Sequence, residues 1–172
     1  MAGSEHTGVE YARADLFDRA VYALAVTDQT DSEALEKLET IVTAIGARAL
    51  RVTPEAHDAA VALISHLPQL TATGLAGLLD TGRDENLANK LAATGWRDTT
   101  RLAGSSWNVW RDIILTNKDN ISTVLGRLIS ELQDAKDALE IGDLNQIREL
   151  FARANRTVEE QRLNRYQTFD KV

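Results

Sequence analysis

Two segments of the chain hold most of the side chains that could carry chemistry. The first, residues 57–69, contains two of the three histidines, and the second, residues 95–110, contains Arg97, Arg101 and all three tryptophans. A guanidinium can hold a carboxylate through two parallel hydrogen bonds, and an indole can form the wall of a pocket. The pattern indicates a carboxylate-binding pocket, although tryptophans that only anchor a core, beside solvated arginines, would fit the composition equally well.

The histidine segment is predicted to be a helix. His57 and His66 are nine residues apart and face opposite sides of an ideal helix, so they cannot form a joint metal pair. His66 and Gln69 share a face because they are three residues apart. Pro68 lacks a backbone donor and is expected to bend the helix beside His66, which could line a cavity. The alternative is a core histidine next to a simple kink.

Composition excludes several classes of protein. The chain has 172 residues, a net charge of −7 and no cysteine. The charge and the lack of a basic tract argue against a nucleic-acid partner. No apolar run approaches the roughly 20 residues of a membrane span, and no apolar signal segment follows Met1. The lack of cysteine excludes disulfides and thiolate metal sites and fits a cytoplasmic location. We therefore expect no metal and a cytoplasmic location, and the lack of a long apolar run leads us to expect no membrane partner.

The first 52 residues predict one strand–helix–strand unit. Residues 20–26 form a continuous apolar run typical of a buried strand, and Thr30 and Glu33 can form a capping box for the helix that follows. Residues 47–52 are the second strand, so we expect a parallel pair with a right-handed crossover. Because two strands are marginal in water, this segment is interpreted as the end of a larger α/β domain.

From residue 53 onward the chain is predicted to be helical. Short helices are expected over residues 84–94, ending at Gly95, over residues 97–104, and from Ser106, with Ser105 and Ser106 as a cap.

Two later segments have the clearest periodicity. Apolar residues recur at steps of three and four from Ile121 to Leu139 and again from Leu144 to Val158, with Gly142 between them as a helix breaker. An antiparallel helical hairpin is therefore predicted. Its apolar stripe could pack within the chain or form a subunit interface, and the polar tail from residue 159 is expected to fray.

Several motifs, in this order, resemble the helical domain of prephenate dehydrogenases. They are His57-Asp58, Ser65-His66-Leu67-Pro68, Gly95-Trp96-Arg97-Asp98-Thr99-Thr100-Arg101 and Trp110-Arg111-Asp112-Ile113. The first five residues resemble the end of that family's His-Pro-Met-Ala-Gly-Ser-Glu motif. The resemblance extends from Met1 to about Val158.

This resemblance implies an oxidoreductase of tyrosine biosynthesis. Such enzymes transfer a hydride from prephenate to NAD or NADP and release the ring carboxylate as carbon dioxide, which gives 4-hydroxyphenylpyruvate; relatives act on arogenate. The implied fold is mainly α. A helical substrate-binding and dimerisation domain, residues 53–172, would follow a βαβ remnant of a Rossmann-like cofactor domain, residues 1–52. The implied assembly is a homodimer through the helical domain.

The resemblance also implies roles for individual residues. Arg101 would grip a substrate carboxylate, and Glu5 and Asp98 would form an ionic gate with it. Gln69 replaces the second histidine of the family's Ser-His-Leu-Pro-His motif and cannot titrate, which leaves prephenate-versus-arogenate preference and feedback by tyrosine open. The full set implied to bind substrate is Ser4, His66, Gln69, Arg101 and Trp110.

Two parts of the expected machinery are missing from the sequence. The family's catalytic histidine would precede Met1, and no G-x-G-x-x-G fingerprint follows a predicted strand. We therefore expect that these 172 residues alone neither bind NAD(P) nor oxidise prephenate. Two functions remain open: the substrate-binding and dimerisation half of a prephenate dehydrogenase, or a non-catalytic helical dimer that binds an aromatic carboxylate or a protein partner.

Overall fold

The computed structural model describes residues 8–81 and 85–169. These residues are mainly α-helical, with one parallel two-stranded sheet, which confirms the predicted fold class. The chain divides into two compact units, one comprising Met1–Pro54 and Glu131–Val172, the other Glu55–Ser130. The second unit contains the candidate site.

The predicted strand–helix–strand unit is confirmed. Strand β1 (Val21–Ala25) pairs in parallel with β2 (Arg48–Val52), with Val21 opposite Arg48. Helix α1 (Ser32–Ala44) connects them. The parallel register follows because a helical crossover returns the chain to the same end of the sheet.

The predicted capping box at the start of α1 is wrong. The residue before the helix is Asp31, and its carboxylate accepts a hydrogen bond of 2.7 Å from the backbone N–H of Ala34. The hydroxyl of Thr30 instead accepts a bond from the backbone N–H of Thr27 in the preceding turn. Glu33 pairs with Lys37 one turn further along the helix. An aspartate carboxylate therefore caps the helix one residue later than predicted.

Strand β1 is not the buried strand that its apolar run predicts. Leu24 is buried, whereas the other residues of the strand are exposed or half-buried. One crossover helix can cover only one face of a two-stranded sheet, so the opposite face stays open among the described residues.

A long, interrupted helix carries the histidine segment. It consists of α2 (Pro54–Val61), a π-helical turn over Ala62–His66, and α3 (Leu67–Gly77). The first N–H of α3 bonds to the carbonyl of Ala62, five residues back. Where the sequence predicts a bend at Pro68, the structure has this wider turn, which relieves the clash between a proline ring and the carbonyl four residues before it.

Among the described residues, this stretch is also long and apolar enough to cross a membrane. Pro54–Gly77 has 24 residues and contains an 18-residue window with a mean hydropathy of 1.2. Polar residues such as His57, Asp58 and His66 interrupt its apolar runs, so the expectation that no apolar run approaches 20 residues is not contradicted. The property is one of length and composition alone, and a core helix of a soluble protein shares it. The expectation of no membrane partner stays a prediction.

Short helical segments follow, with different boundaries from those predicted. Gly95 lies inside a helix and does not end one, and Ser106 precedes its helix without a side-chain capping bond. Helix α3 packs against the second of the segments and against the 3-10 turn that follows it. The segments are α4 (Glu85–Leu91), α5 (Thr94–Thr100), a 3-10 turn (Arg101–Gly104) and α6 (Trp107–Thr116).

The two long helices predicted from periodicity are present. Helix α7 (Lys118–Ile141) and helix α8 (Leu144–Phe169) are separated by Gly142, whose φ of 74° ends the first helix. The carboxylate of Asp143 accepts bonds from two backbone N–H groups at the start of α8. Helix α8 continues to Phe169, past the start of the polar tail, and the expected fraying from residue 159 stays a prediction.

The stripe along α7 is buried at one end and open at the other. Ile121 is 4% exposed, whereas Leu132 and Leu139 are 59% and 64% exposed. On α8, Phe151 and Val158 are similarly exposed. Packing within the chain therefore accounts for only the first part of the stripe.

A small apolar cluster of the second unit holds the histidine helix against α6 and α7. Packing of Ala62 in this cluster holds the π turn in place, so the polar side chains of that turn have a defined position. The cluster comprises Ala62, Ile121 and Val124, with Leu67, Leu70 and Ile114 packed against it.

Candidate functional site

His66 lies at the end of the π turn and is 7% exposed. Its ring faces the indole of Trp110, with ring centroids 5.8 Å apart and an interplanar angle of 88°. This edge-to-face arrangement is a favourable one for two aromatic rings. The structure thus brings together two of the residues that the sequence assigned to one site.

Asn117 contacts the other side of the histidine ring. It is the single residue between α6 and α7, it is buried, and its amide Nδ2 lies 3.3 Å from Nδ1 of His66. The same Nδ2 donates to the backbone carbonyl of Asp58 at 2.8 Å, and the amide oxygen accepts from Nδ2 of Asn120 at 2.8 Å. Both atoms of the Asn117 amide are therefore engaged.

Burial lowers the pKa of His66 below its ordinary value of 6.5, because a charged ring loses hydration. The carboxylate of Asp58 acts in the opposite direction, and His57 adds to the lowering. Oδ1 of Asp58 lies within hydrogen-bond distance of Nδ1 of His57, at 3.0 Å. Since burial is the larger effect, His66 is neutral at pH 7.

Gln69 connects α3 to the 3-10 turn. It is 5% exposed, and its Nε2 donates to the backbone carbonyl of Leu102 at 2.8 Å. Its Oε1 is buried and has no hydrogen-bond partner among the residues that the structure describes. This amide thus holds the turn that begins at Arg101, while its acceptor atom is left without a donor.

Of the remaining predicted site residues, three are described by the structure and two are not. Arg101 is exposed at the start of the 3-10 turn, Asp98 is exposed on α5, and Trp110 is half-buried on α6. Ser4 and Glu5 lie outside the described residues. The roles assigned to these five residues stay predictions.

Nothing in the sequence singles out Asn117 as a site residue. An asparagine just before an apolar helical repeat has the appearance of a helix cap, and no residue spacing indicates that its side chain reaches a histidine 51 positions earlier. The tryptophans also differ from one another: Trp107 is 65% exposed, whereas Trp96 and Trp110 are half-buried. The idea that all three are core anchors is therefore wrong.

A concave surface lies between α7 and α8. It is a groove of about 400 Å³, and Glu131 and Arg153 pair across it at 2.7 Å. Charged and small aliphatic side chains line the groove, with no histidine and no aromatic ring among them. Its chemistry differs from that of the His66 site.

The described part of the nucleotide-binding region does not supply a phosphate cradle. The connection from β1 to α1, residues 26–31, contains no glycine, and Thr53 alone separates β2 from α2. A dinucleotide-binding turn needs glycines between a strand and a helix so that the backbone can approach the pyrophosphate. No glycine-rich turn of this kind connects a strand to a helix among the described residues.

The described residues thus comprise a strand–helix–strand unit followed by a series of helices, one of which carries the buried His66. Residues 53–153 match the family model described as prephenate dehydrogenase, dimerization domain, and residues 1–51 match prephenate dehydrogenase, nucleotide-binding domain. The chain belongs to the prephenate dehydrogenase family.

Curated relatives agree with this assignment. The chain is 36% identical over 157 residues to the prephenate dehydrogenase of Bacillus subtilis, covering 90% of this chain and 42% of the relative. It is 29% identical over 153 residues to the cyclohexadienyl dehydrogenase of Zymomonas mobilis, covering 88% and 52%. The chain therefore spans about half the length of these relatives.

Solved structures show the same similarity. Synechocystis arogenate dehydrogenase has a TM-score of 0.81 at 28% identity, covering 93% of this chain and 59% of that one. Prephenate dehydrogenase from Aquifex aeolicus, in complex with hydroxyphenyl propionate and NAD+, has a TM-score of 0.76 at 28% identity, covering 98% and 57%.

Proposed function

We propose that this chain is the substrate-binding and dimerisation half of a prephenate dehydrogenase, with residues 1–52 ending the cofactor domain and residues 53–172 forming the helical domain. The complete cytoplasmic enzyme would convert prephenate, or arogenate in the related reaction, with NAD or NADP. The observation that carries the proposal is the cluster of His66, Gln69 and Trp110, held beside the turn that begins at Arg101.

The site suits a cyclic substrate that bears carboxylates. Arg101 would bind one carboxylate through paired hydrogen bonds, and Trp110 would wall the ring. His66 would contact an oxygen of the ligand, and the turn beside Gln69 would keep the guanidinium in place. Support comes from the related Aquifex aeolicus enzyme, whose complex contains hydroxyphenyl propionate and NAD+.

The same proposal includes a homodimer through the helical domain. The matching family model is described as a dimerization domain, and it covers α7 and the first part of α8. Large apolar side chains are exposed on both helices, among them Leu139, Leu144 and Phe151. Burying them against a second copy would remove apolar surface from water.

The test is binding of 3-(4-hydroxyphenyl)propionate to the purified chain by isothermal titration calorimetry. We expect binding, and we expect Arg101→Ala to weaken it by on the order of 2–5 kcal/mol, the cost of truncating one partner of a hydrogen-bonded charge pair. Arg97→Ala, one helical turn away and also exposed, is the control and should bind like the parent chain. Equal affinity of the parent chain and Arg101→Ala would contradict the proposal.

A second expectation concerns catalysis. Because the described residues offer no phosphate cradle, prephenate and NAD(P) added to the chain should produce no reduced cofactor. Turnover at a rate proportional to chain concentration would show that this expectation is wrong.

A further inference from the structure

The two nitrogens of the His66 ring have different surroundings. Nδ1 faces the amide Nδ2 of Asn117 at 3.3 Å. The backbone carbonyl of Asp58 can only accept a hydrogen bond, so the atom of Asn117 that lies 2.8 Å from it must be the nitrogen. That nitrogen has two hydrogens, and the second is directed to His66. Nδ1 therefore accepts, and the ring proton belongs on Nε2.

The other end of the Asn117 amide agrees with this orientation. Its Oδ1 accepts from Nδ2 of Asn120 at 2.8 Å. Turning the Asn117 amide over would place its oxygen against the carbonyl of Asp58 and its nitrogen against the nitrogen of Asn120. Both contacts would be repulsive, so the network itself selects one orientation.

We propose that Asn117 is a positioning residue that holds His66 in the neutral form with its proton on Nε2, and that Asn120 orients Asn117 for this task. His66 then serves the site as a hydrogen-bond donor to an acceptor oxygen of the ligand, such as a carboxylate, keto or hydroxyl oxygen. The donor role of His66 toward a ligand rests on the proposed function, whereas the position of the proton on the His66 ring does not.

Nε2 is available for that task. It makes no hydrogen bond with any residue in the described part of the chain, and His66 keeps a small exposed fraction. A second proton, placed on Nδ1, would face the N–H of Asn117. Two donors would then oppose each other, so no hydrogen bond could form there. The titratable groups that act on the ring are Asp58, which favours a charge, and His57, which opposes one, and burial outweighs Asp58.

Long-range ¹H–¹⁵N correlations of the histidine rings in the 172-residue chain test the proposal directly. We expect the His66 signals at pH 7 to show a protonated Nε2 and an unprotonated Nδ1. His57, which is half-buried and pairs with Asp58, provides an internal reference. A protonated Nδ1 in the parent chain would overturn the proposal without any variant.

Asn117→Asp gives the second measurement. A carboxylate at this place accepts instead of donating, so we expect His66 to take a proton on Nδ1 and to titrate at higher pH than in the parent chain. Asn145→Asp, on an exposed residue of α8, is the control for added charge and should leave the His66 signals unchanged. An unchanged His66 titration in a folded Asn117→Asp chain, judged by circular dichroism, would overturn the positioning role.

Adding 3-(4-hydroxyphenyl)propionate separates the two levels of the proposal. A shift of the Nε2 signal on binding supports the donor role. If the ligand binds and Nε2 does not respond, the donor role is wrong while the proposed function stands. If the ligand does not bind, the proposed function fails, and the tautomer measured in the free chain still decides the role of Asn117.

Discussion

The side-chain amide of Gln69 donates a 2.8 Å hydrogen bond to the backbone carbonyl of Leu102, 33 residues further along the chain. This bond connects helix α3 to the 3-10 turn whose first residue is Arg101. An uncharged residue therefore holds the backbone of the turn that carries Arg101. A glutamine amide does not titrate, so it makes this bond without responding to pH.

Gln69→Ala should destabilise the chain by about 1–3 kcal/mol, because the carbonyl of Leu102 loses its donor in a partly buried place. Urea unfolding followed by circular dichroism measures the change. Gln133→Ala removes an exposed amide that bonds only to Asp137 on the same helix, and it should cost much less. Equal losses in the two variants would argue against a structural role for the Gln69 bond.

His66 should make stability depend on pH below about neutrality. Its folded pKa lies below the 6.5 of the unfolded chain, so the unfolded state binds more protons in the interval between the two values. The stabilisation by the neutral ring is complete above 6.5 and is lost as the pH falls through the folded pKa. Unfolding free energies measured in urea from pH 7.5 to 5 should decrease in the parent chain, and the decrease should be smaller in His66→Gln.

His57→Gln is the matched control for that measurement, since His57 is half-buried and pairs with Asp58 at 3.0 Å. It should keep most of the dependence on pH that comes from His66, because burial lowers the His66 pKa more than His57 does. If the unfolding free energies of the parent chain and of His66→Gln decrease equally as the pH falls, His66 is not the source of the dependence on pH.

Arg51 on β2 makes two hydrogen bonds to the carboxylate of Glu39 on α1, of 2.5 and 2.6 Å. The pKa of Glu39 is lowered chiefly by this bonding, so the pair contributes stability that is present above the ordinary value of 4.5 and lost as the pH falls through the folded pKa. Arg51→Ala should lower the melting temperature at pH 7 and flatten its dependence on pH below 4.5. Lys37→Ala removes only an exposed pair with Glu33. It should change the melting temperature and its dependence on pH only a little.

Phe151 on α8 is 65% exposed and should become buried in a dimer. Phe151→Glu should weaken dimerisation by on the order of 1.5–3 kcal/mol, roughly ten- to a hundredfold in the dissociation constant. Analytical ultracentrifugation over a concentration series measures it. Asn145→Asp adds the same charge at an exposed polar position of α8 and should leave the association unchanged. A parent chain that sediments as a monomer at all concentrations would contradict the proposed homodimer.

Features with a local origin could be predicted from the sequence. Gly142 and Asp143 determine the end of α7 and the start of α8 through backbone conformation and capping, and the spacing of apolar residues indicates both helices. The parallel pairing of β1 and β2 follows from the crossover between them. Each of these depends on residues that lie close together in the chain.

Features that depend on distant contacts could not be predicted. The burial of Asn117 requires α7 to pack on the π turn, and the bond between Gln69 and Leu102 requires α3 to meet a turn that periodicity does not place. The capping residue of α1 was missed for a smaller reason, since Thr30 and Asp31 are both good caps and the loop conformation chooses between them.

The π turn over Ala62–His66 gives the long helix one residue more than regular winding would need. Deleting a single residue there would restore ordinary winding, yet it would rotate one half of the helix against the other by roughly 100°. His66 meets Asn117, and Gln69 meets Leu102, only at the present angle. The extra residue thus sets the rotation of one half of the helix relative to the other so that both contacts form. A chain without it would keep its helix but could make only one of the two contacts.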